Sequence, residues 1–258
     1  MRTRRKIVET PASRLPVFLW LALMLCASLF AQAQPKEGAD KTAEPRPSPA
    51  PLSGATKDKI ASMTSLFDGK SLEGWQTSSN AWGVKEGAMA STGAGRGVIY
   101  TKRDYGRFRL IFQMRHVSGE PDHQACVLVF CTRPIEGQKP LDALGGIQFQ
   151  VPNGGHWDYR PGHNNNGGSE FNRLVNPKFD PHEWSQVELL IDASKGTGRM
   201  AVAQPPGTKA VEVLVFTDPT AGKAGPIAWQ MHNKGLFDEY RNVAIEVDPK
   251  EDRLITVE

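Results

Sequence analysis

The sequence lacks the short motifs that mark several common enzyme classes. It contains no Gly-x-Ser-x-Gly elbow, no His-Glu-x-x-His pair and no glycine-rich phosphate loop, so the usual signatures of serine hydrolases, zinc proteases and nucleotide-binding enzymes are missing. It also has no internal repeat and no sustained 3.6-residue hydrophobic stripe, which argues against a helical domain. No basic stripe runs along the chain, and we therefore expect no nucleic-acid partner.

Cysteine is scarce, with three residues in 258. Cys26 lies in a hydrophobic N-terminal segment, whereas Cys126 and Cys131 share one apolar run, residues 125–131, that is typical of a buried strand. Residues five apart in a strand are separated by about 16 Å, so a disulfide between them would require the strand to break. The sequence therefore predicts two buried thiols and no cysteine metal cluster.

Residues 1–33 have the composition of a cleavable export signal. Basic residues come first, an apolar core follows at residues 17–25, and Ala31-Gln32-Ala33 forms a small-x-small cleavage site. The apolar core is short for a bilayer span, although a retained anchor is the alternative, and the twin Arg4-Arg5 gives a weaker indication of a twin-arginine signal. We predict a periplasmic or secreted protein with no membrane span after cleavage.

The segment that follows, residues 34–61, is rich in Pro, Ala and charged residues. We predict a disordered linker, because the segment has too little apolar surface to offset the entropy of ordering. Removal of residues 1–33 takes away five of the 31 basic and one of the 28 acidic residues, so the net charge falls from +3 to −1. The exported chain is therefore close to neutral.

Residues 62–258 have the pattern of one all-β domain. Apolar and polar residues alternate between residues 107 and 117, which is typical of an antiparallel strand with one buried face. The same alternation recurs at residues 187–191, 211–215, 227–231 and 243–247. Gly and Pro separate these segments, and the pattern predicts a β-sandwich of two antiparallel sheets.

Five short blocks carry a resemblance to a known family. They are Leu-Phe-Asp-Gly-Lys-Ser-Leu-Glu-Gly-Trp at 66–75, Gly-Ile-Gln-Phe-Gln at 146–150, Glu-Trp-Ser at 183–185, Gly-Pro-Ile-Ala-Trp-Gln-Met-His at 225–232 and Tyr-Arg-Asn-Val at 240–243. In these blocks and their order the chain resembles the DUF1080 family, also called the 3-keto-disaccharide hydrolase domain family. The resemblance implies a concanavalin A-like jelly-roll fold and hydrolysis of 3-keto-glycosides.

The implied reaction starts from a sugar with a ketone at C3. The ketone acidifies the C2 proton; a base removes that proton, the C1 substituent leaves, and water adds to the unsaturated sugar. Such a site needs a base, a group that stabilises the enolate oxygen, and an acid for the leaving oxygen. We predict the base at His156 or His163, the enolate-stabilising group at Arg241 or Arg160, and the acid at His232 or Glu239.

The densest polar segment, residues 152–170, is the predicted substrate-binding loop. Aromatic rings offer flat faces to the C–H face of a sugar, polar side chains offer directional hydrogen bonds, and glycines let the backbone approach closely. Loops at the rim of a rigid sandwich are a common place for such groups. The predicted binding residues in this segment are Trp157, Asp158, Tyr159, Arg160 and Asn164. The alternative is a long, solvated surface loop.

Glutamines on two predicted strands extend this site. Gln148 and Gln150 share one face of the first strand, and Gln230 shares a face with His232 on the second. A polar sheet face suits a sugar platform, so we predict that the three glutamines bind substrate. The alternative is an ordinary solvated face of an antiparallel sheet.

Two positions depart from the pattern of the resembled family, which commonly shows Gly-x-Glu-x-Gln followed by an Asp. Gln148 stands at the Glu position and Asn153 at the Asp position. An amide can hydrogen-bond a sugar hydroxyl but cannot act as a general base at neutral pH. A non-catalytic carbohydrate-binding module is therefore the alternative to a hydrolase, and an ordinary glycosidase with two carboxylates is a third possibility.

The sequence leaves the question of a metal open. His156, His163 and Asp158 form one candidate set for a transition metal. The oxygens of Asp158, Asn164 and Asn165 form a candidate set for Ca²⁺. Loops impose no fixed geometry, so the spacing does not decide between either metal and none.

Overall fold

Two antiparallel sheets make up almost all of the regular structure. The computed structural model describes residues 49–77, 80–121, 125–134, 143–168 and 170–258, so the predicted export signal and residues 34–48 lie outside the described residues. Within these ranges the helical elements are α1 (Gly54–Ala61) and a 3-10 turn at Pro219–Ala221. No helix in this part of the chain has the length and hydropathy needed to cross a membrane.

The larger sheet has nine strands among the described residues, numbered here in chain order. They are β1 (Thr64–Ser65), β3 (Trp82–Lys85), β4 (Ala88–Ser91), β6 (Arg107–Ser118), β10 (Phe171–Arg173), β11 (Ser185–Asp192), β12 (Thr197–Ala203), β13 (Val211–Thr217) and β15 (Phe237–Val247). Their order is β10-β13-β12-β11-β6-β15-β4-β3, and β1 pairs separately with β15. The long strands β6 and β15 therefore lie side by side near the middle of the sheet.

The smaller sheet has six strands in the described part of the chain. They are β2 (Trp75–Thr77), β5 (Gly97–Thr101), β7 (Cys126–Thr132), β8 (Gly145–Gln150), β9 (Gly155–Asp158) and β14 (Ala228–Met231). Their order is β2-β5-β14-β7-β8-β9. The predicted substrate-binding segment, residues 152–170, therefore contains β9, which lies at one edge of this sheet.

The two sheets meet in one hydrophobic core. On β6 the predicted alternation is confirmed, since Phe108 and Phe112 are buried in the core while Arg115 lies on the other face. Trp229 of the smaller sheet contacts Phe112 and Tyr240 of the larger one, with ring centroids 5.7 and 5.3 Å apart. Burial of a side chain of this size stabilises the fold by about 2–3 kcal/mol. Each sheet therefore has one face in the core and one outer face, and the predicted sandwich is confirmed.

Asp68 and Gly69, in the first of the five blocks, form a turn, for which Asp and Gly are favoured residues. One carboxylate oxygen of Asp68 accepts hydrogen bonds from the backbone N–H groups of Lys70 and Ser71, at 2.8 Å each. These backbone bonds lower the pKa of Asp68. Trp75 Nε1 donates to Leu66 O at 2.7 Å, so the buried indole N–H has a partner.

The two cysteines of the domain are buried thiols, as predicted. Cys126 and Cys131 both lie on β7, and no disulfide joins them. Burial raises the pKa of both thiols. They therefore remain protonated and unreactive at neutral pH.

The last part of the predicted linker is ordered, which corrects the prediction of disorder there. Leu52 is buried, and its N–H donates to Gly207 O at 2.9 Å. Helix α1 then begins after Ser53, whose hydroxyl accepts a hydrogen bond from Thr56 N at 3.1 Å. The high Pro content favours disorder, but it does not show that Leu52 packs against the domain or that Ser53 can act as an N-cap residue.

A buried carboxylate fastens the C-terminal residues to the outer face of the larger sheet. Glu188 accepts hydrogen bonds from Arg109 Nε at 2.9 Å, from Ile255 N at 3.0 Å, and from Thr256 N at 2.9 Å. The Thr256 hydroxyl also donates to it, at 2.6 Å. Leu254 joins a small apolar cluster beside this network. The chain itself therefore covers part of this outer face.

Candidate functional site

Three glutamines lie together on the outer face of the smaller sheet. Gln148 Nε2 donates to Gln230 Oε1, and Gln150 Nε2 donates to Gln148 Oε1 at 3.4 Å. Gln230 Nε2 in turn donates to the Tyr159 hydroxyl, at 3.1 Å. Gln148 and Gln230 are buried, whereas Gln150 is half-buried. We call Gln148, Gln150 and Gln230 the glutamine face; Gln148 and Gln150 share one face of their strand, as predicted, and Gln230 joins them there.

An aromatic rim borders the glutamine face. Trp157 and Tyr159 are both half-buried, and their ring centroids are 6.1 Å apart. Trp157 Nε1 donates to Asn164 Oδ1 at 3.2 Å, which fixes the orientation of the indole. Amide groups next to aromatic faces can hydrogen-bond hydroxyls and pack against an apolar C–H surface at the same time. The arrangement therefore suits a saccharide ring.

His232 lies at one end of the glutamine face. It follows β14 directly, two residues after Gln230. The pairing of β5 with β14 brings Arg96 to it, with Nη2 at 3.5 Å from His232 Nδ1. A guanidinium donates only, so this contact favours the tautomer in which Nδ1 accepts and Nε2 carries the proton. His232 is the predicted catalytic residue that the structure places beside the glutamine face.

Asp158 and Arg160 bind each other rather than facing the glutamines. Arg160 Nε and Nη2 donate to Asp158 Oδ2, at 3.2 and 2.8 Å, and Nη2 is 2.7 Å from Asp218 Oδ2. The hydrogen bond to Asp158 raises the pKa of Arg160. Burial acts to raise the pKa of Asp218, but hydrogen bonds from Thr220 and Arg160 outweigh it and the pKa is lowered. His163 borders this network, with Nδ1 at 3.0 Å from Asp158 Oδ2. The network holds the loop in place.

His156 faces the interior side of the smaller sheet. Its ring stacks on Phe171, with centroids 4.0 Å apart and an interplanar angle of 17°. It is paired across β8 and β9 with the core residue Phe149. Burial, and then the positive charge of Arg173, lower the pKa of His156. This side chain points away from the glutamine face, which corrects its predicted role as the base of that site.

Glu239 and Arg241 lie on the opposite sheet. Tyr240 between them is buried in the core, so both flanking side chains are on the outer face of the larger sheet. Glu239 pairs there with Arg115 at 2.8 Å, and Arg241 Nε donates to Gln113 Oε1 at 2.9 Å. The core, about 10 Å thick, separates them from the glutamine face. The structure therefore corrects the prediction that they complete one site with His232.

A family model for the 3-keto-alpha-glucoside-1,2-lyase-like domain matches residues 62–246. The chain belongs to this family. The match includes all five blocks of the resemblance, and the two-sheet architecture is the jelly-roll sandwich that the resemblance implies. No curated protein matches the sequence significantly.

Several solved structures are similar to this family member at low sequence identity. The carbohydrate-binding module CBM66 from Bacillus subtilis is 11% identical, with 67% of this chain and 95% of that chain covered and a TM-score of 0.49. The exoplasmic/lumenal domain of VIP36, with Ca²⁺ and Man3GlcNAc bound, is 10% identical, with 71% and 91% covered and a TM-score of 0.47. The seed lectin of Lotus tetragonolobus is 7% identical, with 69% and 95% covered and a TM-score of 0.44.

At one of its two departures from the family pattern, this member has an amide with a structural role. Asn153 Oδ1 accepts a hydrogen bond from Phe179 N at 2.8 Å, and Asn153 Nδ2 donates to Phe179 O at 3.0 Å. An ionised Asp could accept but not donate. Asn153 therefore fits its surroundings better than the Asp of the family pattern would. Gln148, the other departure, likewise uses its amide N–H, toward Gln230.

The described residues contain no group of three or more His, Cys, Asp or Glu side chains placed to hold a metal ion. The predicted set of His156, His163 and Asp158 is not brought together, since His156 stacks on Phe171. The oxygens predicted for Ca²⁺ accept hydrogen bonds within the loop: Asp158 from Arg160 and Asn164 from Trp157. Hydrogen-bond donors of the protein therefore engage these oxygens.

Arg96 is the site residue that the sequence did not indicate. It lies in a short Gly-Arg-Gly segment before β5, with no motif around it. Its proximity to His232 depends on the pairing of two strands more than 130 residues apart. No local signal could have placed it in the site.

Proposed function

We propose that this chain is an exported domain that binds a saccharide on the glutamine face. The observation that carries the proposal is the hydrogen-bonded chain from Gln150 through Gln148 and Gln230 to Tyr159, bordered by Trp157. Amides can donate to and accept from sugar hydroxyls, and the indole offers an apolar face. Export is inferred from the signal-like composition of residues 1–33.

Cleavage of a 3-keto-glycoside by elimination and hydration is the second candidate. Family membership favours it, and so does the position of His232 beside the glutamine face. In this reaction the Arg96 guanidinium would move from His232 Nδ1 onto the enolate oxygen, and the freed Nδ1 would take the C2 proton. His232 would then give that proton to the C1 oxygen as the C1–O bond breaks. Water would then add to the double bond and restore the keto sugar.

Binding ranks above catalysis because the glutamine face offers few groups for proton transfer. Its three side chains are amides, which cannot act as bases. Of the predicted catalytic residues, His156 faces the core and Glu239 and Arg241 lie on the other sheet. A carbohydrate-active enzyme of this type would therefore depend heavily on His232.

The deciding experiment incubates the purified protein with a 3-keto-disaccharide and with its unoxidised parent, with and without a chelator. Mass spectrometry follows the products, and calorimetry follows binding to both sugars. The proposal expects binding of at least one sugar that weakens at least tenfold in Gln230→Ala, with no turnover. Turnover of the keto sugar alone, lost in His232→Gln, would establish the lyase reaction instead. A folded protein that neither binds nor cleaves these sugars would overturn both.

A further inference from the structure

A second polar surface lies on the outer face of the larger sheet. The register of β6 with β11 and β15 arranges it in two adjacent rows. One row is Glu239, Arg115 and Trp184, and the next is Arg241, Gln113 and Gln186. We call these six residues the arginine face. The core separates it from the glutamine face, and the C-terminal residues cover a different part of the same outer surface.

Stacking fixes the guanidinium group of Arg241. Its Cζ lies 3.8 Å from the ring centroid of Trp184, and the Cζ of Arg115 lies 4.8 Å from the same centroid. Arg241 Nε donates to Gln113, and among the described residues no hydrogen bond engages Nη1 or Nη2. Arg115, by contrast, is paired with Glu239. A stacked guanidinium with an open Nη edge is suited to a planar, two-point bond with a carboxylate.

A buried amide on the same row gives an independent indication of a ligand. Gln186 is only 7% exposed, and its Nε2 has no hydrogen-bond partner in the described part of the chain. An unpaired buried donor is unfavourable, and native proteins rarely keep one without a use. Gln113 on β6 lies between Gln186 on β11 and Arg241 on β15. A ligand that displaces the side chains covering this Nε2 would accept its hydrogen bond and also reach Arg241.

An apolar pocket continues the arginine face toward β3 and β4. Its volume is about 190 Å³, and its lining includes Lys85, Val117, Phe237 and Glu239. Val117 and Phe237 are each 39% exposed, which is high for large apolar side chains. Two carboxylates line the pocket, and each has a partner: Arg115 pairs with Glu239, and His116 Nδ1 lies 2.7 Å from Asp238 Oδ1. Lys85 and Arg241 are therefore the cations left to act on a ligand.

We infer that the arginine face binds an acidic saccharide, with a uronic-acid carboxylate on the Nη edge of Arg241. The C–H face of the sugar packs on Val117 and Phe237, and Gln186 donates to a hydroxyl or ring oxygen. Free positive charge, apolar contact and an unpaired donor together match this chemistry. The site does not depend on the glutamine face, so either function can fail without the other.

Calorimetry of the purified protein with trigalacturonate, and with its methyl ester as the neutral control, tests this site. The acid is expected to bind at low salt and the ester to bind at least tenfold more weakly. Arg241→Gln is expected to reduce affinity for the acid at least tenfold. Arg241→Lys, which keeps the charge but loses the two-point geometry, should show an intermediate loss. Gln148→Ala, on the other sheet, should leave this affinity unchanged.

Gln186→Leu separates binding from folding. Leu removes the unpaired donor at similar volume, so the melting temperature should stay the same or rise while affinity for trigalacturonate falls at least threefold. The inference is overturned if the folded wild type does not bind trigalacturonate, or if acid and ester bind equally. It is also overturned if folded Arg241→Gln keeps wild-type affinity, or if Gln148→Ala abolishes binding, which would place the acid on the glutamine face.

Discussion

Gln148 and Gln230 lie on strands that are not neighbours, and their side chains meet above the strand between them. β8 and β14 flank β7, and the Gln148 amide reaches across it to donate to Gln230. This bond fixes which end of the Gln230 amide faces Tyr159. A substitution at residue 148 should therefore alter the hydrogen bond of Tyr159 in the aromatic rim, because two hydrogen bonds connect the two residues.

Gln148→Glu restores the carboxylate of the family pattern. The new carboxylate cannot donate, so the Gln230 amide must turn over, with its Nε2 toward residue 148 and its Oε1 toward the Tyr159 hydroxyl. Burial would raise the pKa of the introduced carboxyl group, which suits a general base. Since the wild type is proposed to bind without turnover, we expect Gln148→Glu to cleave a 3-keto-disaccharide on the order of a hundredfold faster than the background rate seen with the wild type, the lower end of typical acid–base contributions, as measured by product mass spectrometry.

Gln76→Glu is the matched control, since it makes the same change on an exposed residue of the smaller sheet. It should leave turnover at the wild-type level. A folded Gln148→Glu protein with no gain in turnover would show that residue 148 does not act in catalysis.

Asn153→Asp should destabilise the fold in a pH-dependent way. At pH 7 the ionised side chain loses its bond to Phe179 O, which costs about 1–3 kcal/mol. The protonated acid can still donate, so folding raises the pKa of this Asp, and stability returns as the pH falls toward about 4. Urea unfolding at pH 7 and pH 4 measures the effect. Asn176→Asp, whose oxygen only accepts from Arg173, should show no loss; an equal deficit at both pH values would contradict this account of Asn153.

His156 should make the protein less stable below neutral pH. Its pKa is lowered in the folded state by burial and by Arg173, so the unfolded chain binds the proton more readily. The stability that the neutral ring contributes is present above the unfolded pKa of about 6.5 and is lost as the pH falls.

His156→Phe keeps a ring against Phe171 but cannot titrate. Urea unfolding at pH 7.5 and pH 5 should show a smaller loss of stability in this variant than in the wild type. His163→Gln, a change at an exposed side chain, should keep the wild-type loss. If His156→Phe also keeps it, the pH dependence comes from other groups.

Glu188→Ala should release the C-terminal residues. It leaves buried Arg109 without one of its partners and removes the acceptor for Ile255 N and Thr256 N. Breaking a buried pair in this way costs about 3–5 kcal/mol. Urea unfolding measures the cost, and limited proteolysis with mass spectrometry shows whether the C-terminal residues become accessible.

Glu212→Ala is the control for Glu188, because it breaks a more exposed pair with Arg199. Its cost should be about 0–1 kcal/mol. Similar costs for the two variants would show that the network around Glu188 is not the main attachment of the C-terminal residues.

The strands and their buried faces could be predicted because alternation is a local signal. The pattern on β6 gave both the strand and its core-facing residues, and the turn at Asp68 followed from residue types. The order of strands in the sheets is not local. The chain crosses from the smaller sheet to the larger one between Met231 and Phe237, so residues close in sequence, His232 and Arg241, lie on opposite sides of the sandwich.

Contacts between residues far apart in sequence also limit the prediction of the substrate-binding segment, residues 152–170. Residue types correctly indicated that Trp157, Tyr159 and Asn164 lie together. They could not show that Arg160 is bound by Asp158 and by Asp218, because Asp218 comes nearly sixty residues later. A charged side chain in a polar loop has many possible partners, and the fold decides which it meets.

The attachment points of the two chain ends decide how this protein can be joined to others. Leu52 is held at the turn that links β12 and β13 of the larger sheet, and Thr256 is held on that sheet's outer face by Glu188. Both attachment points are therefore on the larger sheet, whereas the glutamine face is on the smaller one. A solid support bound through a residue next to Leu52 or Thr256 would therefore contact the larger sheet and would not compete with a ligand for the glutamine face.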